Sequence, residues 1–230
     1  MKLTYFNGRG LAETSRILLA ISGEEYEDFR YPLEIIDWAT HNMKKEEFEQ
    51  DKKDGKLLCS LNKLPSLEVD DVVYGSEEEQ LVKTTVVIPQ SKAIERFLAN
   101  RFNLMGENSI QAASIDCICE CVRDFKDLYQ KVRALPEEEK EEGMKTWFTV
   151  TLVEKLGLLE NILGEGGFSV GGKLSLSDVV LFSFITQFFD NSEASYNATL
   201  VTPKLRLIVD NVAGHEKVIE WLKKRPKTEF

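Results

Sequence analysis

The sequence predicts an α/β domain followed by an all-α domain. Three observations carry this. Residues 1–103 interleave short β-rich runs with helical ones. Beyond Asn103 the apolar residues step by three or four, the helical period. The two textures meet at a short connector, "LMGEN", so the expected domains are 1–103 and 108–230.

The elements follow in order. "KLTYF" (residues 2–6) alternates and is rich in β-formers, and a polar turn bracketed by Gly8 and Gly10 follows it. "LAETSRILLAIS" places Leu11, Ile17, Leu18 and Ile21 on a helical face, with Gly23 as its stop. "YEDFRY" reads as a second strand, giving a β-α-β unit with a right-handed crossover. "SLEVD" and "TTVVI" read as a strand pair, and "SKAIERFLANRF" as the next helix. In the second domain Ile115, Ile118, Val122, Phe125 and Tyr129 define the first helix. Pro136 opens another, whose acidic first turn suits the helix dipole. "GEGG" at residues 164–167 breaks the chain. Ser175 and Asp178 form an S-x-x-D capping box, a folding device worth about 1 kcal/mol. "PKLRLIVDNVA" and "HEKVIEWLKKR" are the last helices. Residues 41–62, long, charged and partly helical, and residues 71–83 read as surface insertions, the second lengthening a hairpin.

The 230-residue chain is 43% apolar and carries a net charge of −10, which supports a core and leaves no broad basic surface for nucleic acid. Met1-Lys2 runs straight into a strand without an apolar leader, and no run approaches the roughly 18 apolar residues of a membrane span. These features predict a cytoplasmic protein. Cys117 and Cys121 share a helical face and Cys119 points away from it. With His41 and His215 remote and no CxxC pair, the four cysteines are expected to be small buried hydrophobes rather than metal ligands.

Three stretches carry candidate chemistry. Tyr5 ends a strand beside a Gly-flexed loop and a helix N-terminus, where a phenol either fills a core or donates to an anion. A thiolate is a suitable anion: a free thiol has a pKa of about 8.5, and a hydrogen bond lowers it. Leu64-Pro65 precedes a strand; it is either an edge device or a cis turn that offers the Leu64 backbone to an extended peptide. Gln90-Ser91 stands at a helix mouth, where Ser91 caps the helix, helps hold a carboxylate, or does both.

Taken together, "LTYFNGRGLAE", "DW", "KLPSLEVDD", "PQSKAIERFLA", "SLSDVVL" and the terminal "KKRPKTEF" resemble a cytosolic glutathione S-transferase. The sigma class is the nearest, with its haematopoietic prostaglandin D synthases, flatworm enzymes and cephalopod S-crystallins. The resemblance runs through nearly the whole chain in order. It implies a thioredoxin-like N-terminal domain, an all-helical C-terminal domain and a homodimer. It also implies glutathione as cosubstrate and a hydrophobic electrophile as partner, without nucleic acid or membrane. Carried over residue by residue, Tyr5 stabilises the glutathione thiolate, and Leu64 beside cis-Pro65 pairs with the cysteinyl part. Gln90 and Ser91 hold the γ-glutamyl end, which Asp124 reaches from the neighbouring subunit. Trp38 and Lys63 meet the glycyl end, and Phe6, Gly8 and Leu11 border the electrophile pocket.

The sequence departs from the family pattern in places. Leu11 stands where members often carry arginine. A lysine expected shortly after Trp38 falls in the longer segment, where Lys44, Lys45 and Lys53 are candidates. The synthases' magnesium-binding aspartates align with Glu120, Arg123 and Asp124, so no metal is expected. Their pocket tryptophan aligns with Lys131, which argues against a dedicated prostaglandin synthase. The leading expectation is an enzyme that conjugates glutathione to hydrophobic electrophiles. The alternative is a catalytically weak S-crystallin-like or ligandin-type protein on the same fold. A thiol oxidoreductase would want Cys or Ser at position 5.

Overall fold

The computed structural model describes residues 1–37, 42–74 and 81–228. The chain forms two compact units, Met1–Leu98 with Pro226–Phe230, and Ala99–Arg225.

In order, the first stretch contains β1 (Lys2–Phe6), a 3₁₀ turn (Gly10–Ala12), α1 (Glu13–Ser22), β2 (Glu27–Tyr31), β3 (Glu34–Asp37) and β4 (Asn42–Lys44). Next come α2 (Glu46–Lys53), a second 3₁₀ turn (Leu58–Ser60), β5 (Ser66–Tyr74), β6 (Leu81–Pro89) and α3 (Ser91–Arg101). The main sheet has the order β2-β1-β5-β6, with β1 parallel to β2 and antiparallel to β5, and β5 antiparallel to β6. A parallel pair needs a crossover, and α1 supplies it. This is the thioredoxin-like arrangement. Leu3, Ile17, Leu18, Leu67, Ile94 and Leu98 are fully buried and form its core. A smaller cluster of Tyr31, Phe48 and Leu57, with Phe6, Phe29 and Leu64 packed against it, fastens the α2 segment to the strand ends. The Tyr31 hydroxyl donates to Asp51 at 2.7 Å across the same seam.

Of the two insertions, the second turns out differently from the expectation. Residues 71–74 and 81–83 are not a surface loop. They prolong β5 and β6 into a nine-residue pair in which Tyr74 faces Leu81, and residues 75–80 lie outside the described residues. The β-branched valines Val72, Val73 and Val82 favour that extension. Within 41–62 the helix is α2, and β4 pairs with β3 across an irregularity between Ile35 and Asp37.

The second unit is helical: α4 (Ser109–Arg133), α5 (Glu137–Thr146) running through a π turn (Trp147–Thr151) into α6 (Leu152–Glu160), and α7 (Leu176–Ser183) with a π turn (Phe184–Phe188). Then come α8 (Ser192–Asn197), α9 (Pro203–Ala213) and α10 (Glu216–Lys224). Asn108 caps α4 by accepting from Ile110 and Gln111 N–H at 3.1 and 3.0 Å. The capping box is present: Asp178 accepts from the Ser175 N–H at 2.7 Å, its hydroxyl at 2.8 Å, and the Ser169 N–H at 2.6 Å. Burial pushes the Asp178 carboxyl up, against the pull of the hydrogen bonds from Ser169 and Ser175.

The cysteine expectation is corrected. Only Cys119 is buried; Cys59 and Cys117 are exposed and Cys121 is half-exposed. The reason is the register of α4, which turns Ile115, Ile118, Val122, Phe125 and Tyr129 inward and leaves Cys117 and Cys121 on the outer side. No described helix is long and apolar enough to cross a membrane.

Candidate functional site

The site begins where β1 ends. Beyond Tyr5 the chain turns back at once: the Gly8 N–H donates to the Phe6 carbonyl at 2.7 Å, and the Asn7 N–H to the Tyr31 carbonyl at 2.8 Å. Gly10 sits at φ +40°, and a Cβ built on it would lie 2.5 Å from the Tyr5 hydroxyl. Only glycine lets the backbone pass this close to the phenol. The next N–H, that of Leu11, donates to the Tyr5 oxygen at 3.1 Å. That oxygen therefore accepts from the loop and keeps its own proton to give elsewhere. Burial raises the phenol pKa, only partly opposed by the Leu11 N–H and the Arg16 charge. At neutral pH Tyr5 is a neutral donor.

Arg16 underpins this arrangement from α1. It is fully buried, with its guanidinium 5.9 Å from the Tyr5 ring. Nη1 donates to the Gly8 carbonyl at 2.6 Å and Nε to Asp28 at 3.1 Å. Glu13 lies 3.5 Å away, and Asp28 also binds Arg30 at 2.7 Å. Two carboxylates thus offset a cation that desolvation alone would make costly. The sequence reading missed Arg16. The signal available was a charged i,i+3 pair, Glu13 and Arg16, next to the apolar run Ile17–Leu19 in the middle of a helix.

The sheet register brings the other two stretches to the same end of neighbouring strands. Thr4 on β1 faces Ser66 on β5, and Ser66 faces Pro89 on β6. Tyr5 follows Thr4, Leu64-Pro65 precedes Ser66, and Gln90-Ser91 follows Pro89. The Leu64-Pro65 peptide is cis. Among the described residues the Leu64 N–H and C=O take no hydrogen-bond partner, and Pro65 is buried. Gln90 adopts φ +75°, a left-handed conformation that costs a non-glycine residue about 1–3 kcal/mol. Its carbonyl accepts the Ile94 N–H at 3.0 Å and starts α3. Ser91 is the first residue of α3, and its hydroxyl has no partner among the described residues. Free donors at a helix N-terminus suit a carboxylate.

The remaining candidates fall in several places. Phe6 packs edge-on against Phe48 at 5.1 Å, Gly8 is buried and Leu11 is about half exposed. Lys63 is exposed, and its ammonium makes no ion pair among the described residues. Lys44 and Lys45 pair with Glu46 and Glu49 at 3.5 and 3.2 Å. Trp38 lies outside the described residues. Asp124 belongs to the second unit, exposed on α4 and 3.9 Å from Arg123, which itself binds Glu120 at 2.8 Å.

Comparison with known proteins agrees with this architecture. Residues 123–225 match the family model described as glutathione S-transferase, C-terminal domain. The chain is 31% identical over 229 residues to the hematopoietic prostaglandin D synthase of Gallus gallus, covering 99% of this chain and 97% of that one. It is 29% identical over 234 residues to S-crystallin SL11 of Nototodarus sloanii, covering 99% and 98%. Among solved structures, a Fasciola hepatica sigma class GST superposes with a TM-score of 0.75 at 25% identity, covering 100% of this chain and 98% of that one. Identity of this order over the whole length, on the same two-part architecture, makes the chain a sigma-class-like member of the glutathione S-transferase family.

Proposed function

We propose that the protein conjugates the thiolate of glutathione to hydrophobic electrophiles, with Tyr5 donating the hydrogen bond that holds the sulfur as its anion. The observation that carries this reading is the Leu11 N–H on the Tyr5 oxygen, over a glycine that lets the loop close. It occupies one acceptor position of the phenol and supports a donor role for the proton, which has no acceptor among the described residues. The Leu64 backbone, without a partner among the described residues, answers the main chain of an extended tripeptide. Gln90 and Ser91, at the head of α3, receive the γ-glutamyl carboxylate. Lys63 and Trp38 meet the glycyl carboxylate, and Asp124 of a second copy reaches the γ-glutamyl amine, so the active form is a homodimer. The electrophile rests beside Phe6, Gly8 and Leu11. The chemistry needs no metal: position and electrostatics supply the rate. The setting is the cytoplasm.

The similarity to an S-crystallin favours a second reading, a binding protein with vestigial turnover. One experiment separates the two. Retention on immobilised glutathione is measured beside conjugation of a generic chloronitrobenzene. Retention with turnover supports the transferase, and retention without turnover selects the binding protein. Tyr5→Phe should lower turnover roughly 10- to 1,000-fold while changing retention little. Unchanged turnover in that variant would remove Tyr5 from the mechanism.

A further inference from the structure

The helix α4 carries a feature that glutathione chemistry does not use. Cys117 and Cys121 are one turn apart on its outer side, both free thiols, the first exposed and the second half-exposed. Spaced four residues apart, the two side chains project from one face of the helix. We propose that this pair is a chelating dithiol site for trivalent arsenicals of the R–As=O class.

The geometry selects that ligand over the alternatives. Residues i and i+4 of a helix hold their Cβ atoms about 5–6 Å apart. A disulfide wants about 3.5–4.5 Å. Direct oxidation of the pair would therefore distort the helix, and the two thiols persist side by side. One atom inserted between the sulfurs lengthens the link and removes the mismatch. Zinc would need four ligands in a tetrahedron. Among the described residues no group of three His, Cys, Asp or Glu is placed to hold a metal. Trivalent arsenic carrying one organic substituent requires only two sulfurs.

The step balances without an oxidant. R–As=O reacts with two thiols to give R–As(S–)₂ and water. Two As–S bonds form, the As=O bond breaks, and both thiol protons leave on the oxide oxygen. Arsenic stays trivalent throughout. The resting pair suits this stoichiometry: burial, the neighbouring Cys117 and the Asp124 carboxylate all push the Cys121 thiol up, so it enters protonated. It is correspondingly a weak nucleophile toward single-site alkylating agents.

The test uses the full-length protein and phenylarsine oxide, read by intact mass. The expected result is one phenylarsinyl group per chain that survives excess 2-mercaptoethanol and is removed by 2,3-dimercaptopropanol. Cys117→Ala and Cys121→Ala should each abolish the resistant adduct. Cys59→Ala and Cys119→Ala should keep it. Alanine at an outward helical position does not threaten folding. A monothiol that strips the wild-type adduct, or an adduct that persists in either the position 117 or the position 121 variant, overturns the site. The readout is independent of glutathione turnover.

Discussion

At the scale of the residue, the absence of a side chain at position 10 is a chemical requirement. A methyl group there would meet the Tyr5 hydroxyl at 2.5 Å, and the φ of +40° is strained for any L side chain. Gly10→Ala must therefore push the loop off the phenol and withdraw the Leu11 N–H. The expected outcome is a turnover loss approaching that of Tyr5→Phe, with the fold kept, measured by conjugation rate beside circular dichroism. Gly157 makes the opposite case. It sits inside α6, and an added Cβ meets nothing within 4 Å. Gly157→Ala should raise stability by about 0.5–1 kcal/mol in urea unfolding, because it removes backbone freedom from the unfolded chain. A destabilised Gly157→Ala, or a fully active Gly10→Ala, would contradict the packing described here.

At the scale of the element, two polar contacts tie segments together, and they respond to pH in different ways. Asp178 closes the start of α7 by accepting from Ser169 and Ser175. Asp178→Ala leaves buried donors unpaired and should cost at least about 1–3 kcal/mol, read from the urea midpoint. Asp51 on α2 accepts from the Tyr31 hydroxyl on β2 and from Lys56. The Lys56 and Tyr31 hydrogen bonds hold the Asp51 carboxyl below its usual range. A depressed folded value means the unfolded chain binds the proton more tightly. The contribution of Asp51 is thus present above the ordinary carboxylate value, near 3.9, and is lost as pH falls through the lowered folded value. Asp51→Asn should flatten the acid limb of the stability profile in that window. An unchanged acid limb would mean that Asp51 is no better placed in the folded chain than in the unfolded one.

At the scale of the whole molecule, the site as proposed is incomplete in one chain. Sedimentation at micromolar concentration should give about twice the 26.2 kDa of one chain. Asp124→Ala should keep that mass and weaken glutathione binding by about 1–3 kcal/mol, the cost of an unanswered buried ammonium. Calorimetric titration reads the affinity. A fully active monomer, or unaltered affinity in Asp124→Ala, would exclude a shared site.

The sequence by itself determined the order of the elements, the two domain textures, the capping box and the β-α-β start. Each of these is a local pattern: alternation in "KLTYF", a three-to-four step from Ile115 to Tyr129, a serine three residues before an aspartate. The candidate site was legible as three separated stretches, and the resemblance supplied the joint purpose proposed for them. Only the tertiary structure placed Tyr5, Leu64 and Ser91 at one end of adjacent strands, because strand register depends on partners distant in sequence, as where Thr4 faces Ser66. Only it showed Arg16 beneath the phenol, since a charged residue in a helix reads as surface until its partners, the part-buried Asp28 and the buried Glu13, are known. The left-handed Gln90 and the outward-facing Cys117 and Cys121 were decided there too. Backbone handedness at a helix start and the rotation of a long helix on its core are set by packing, and no local pattern of residues records them.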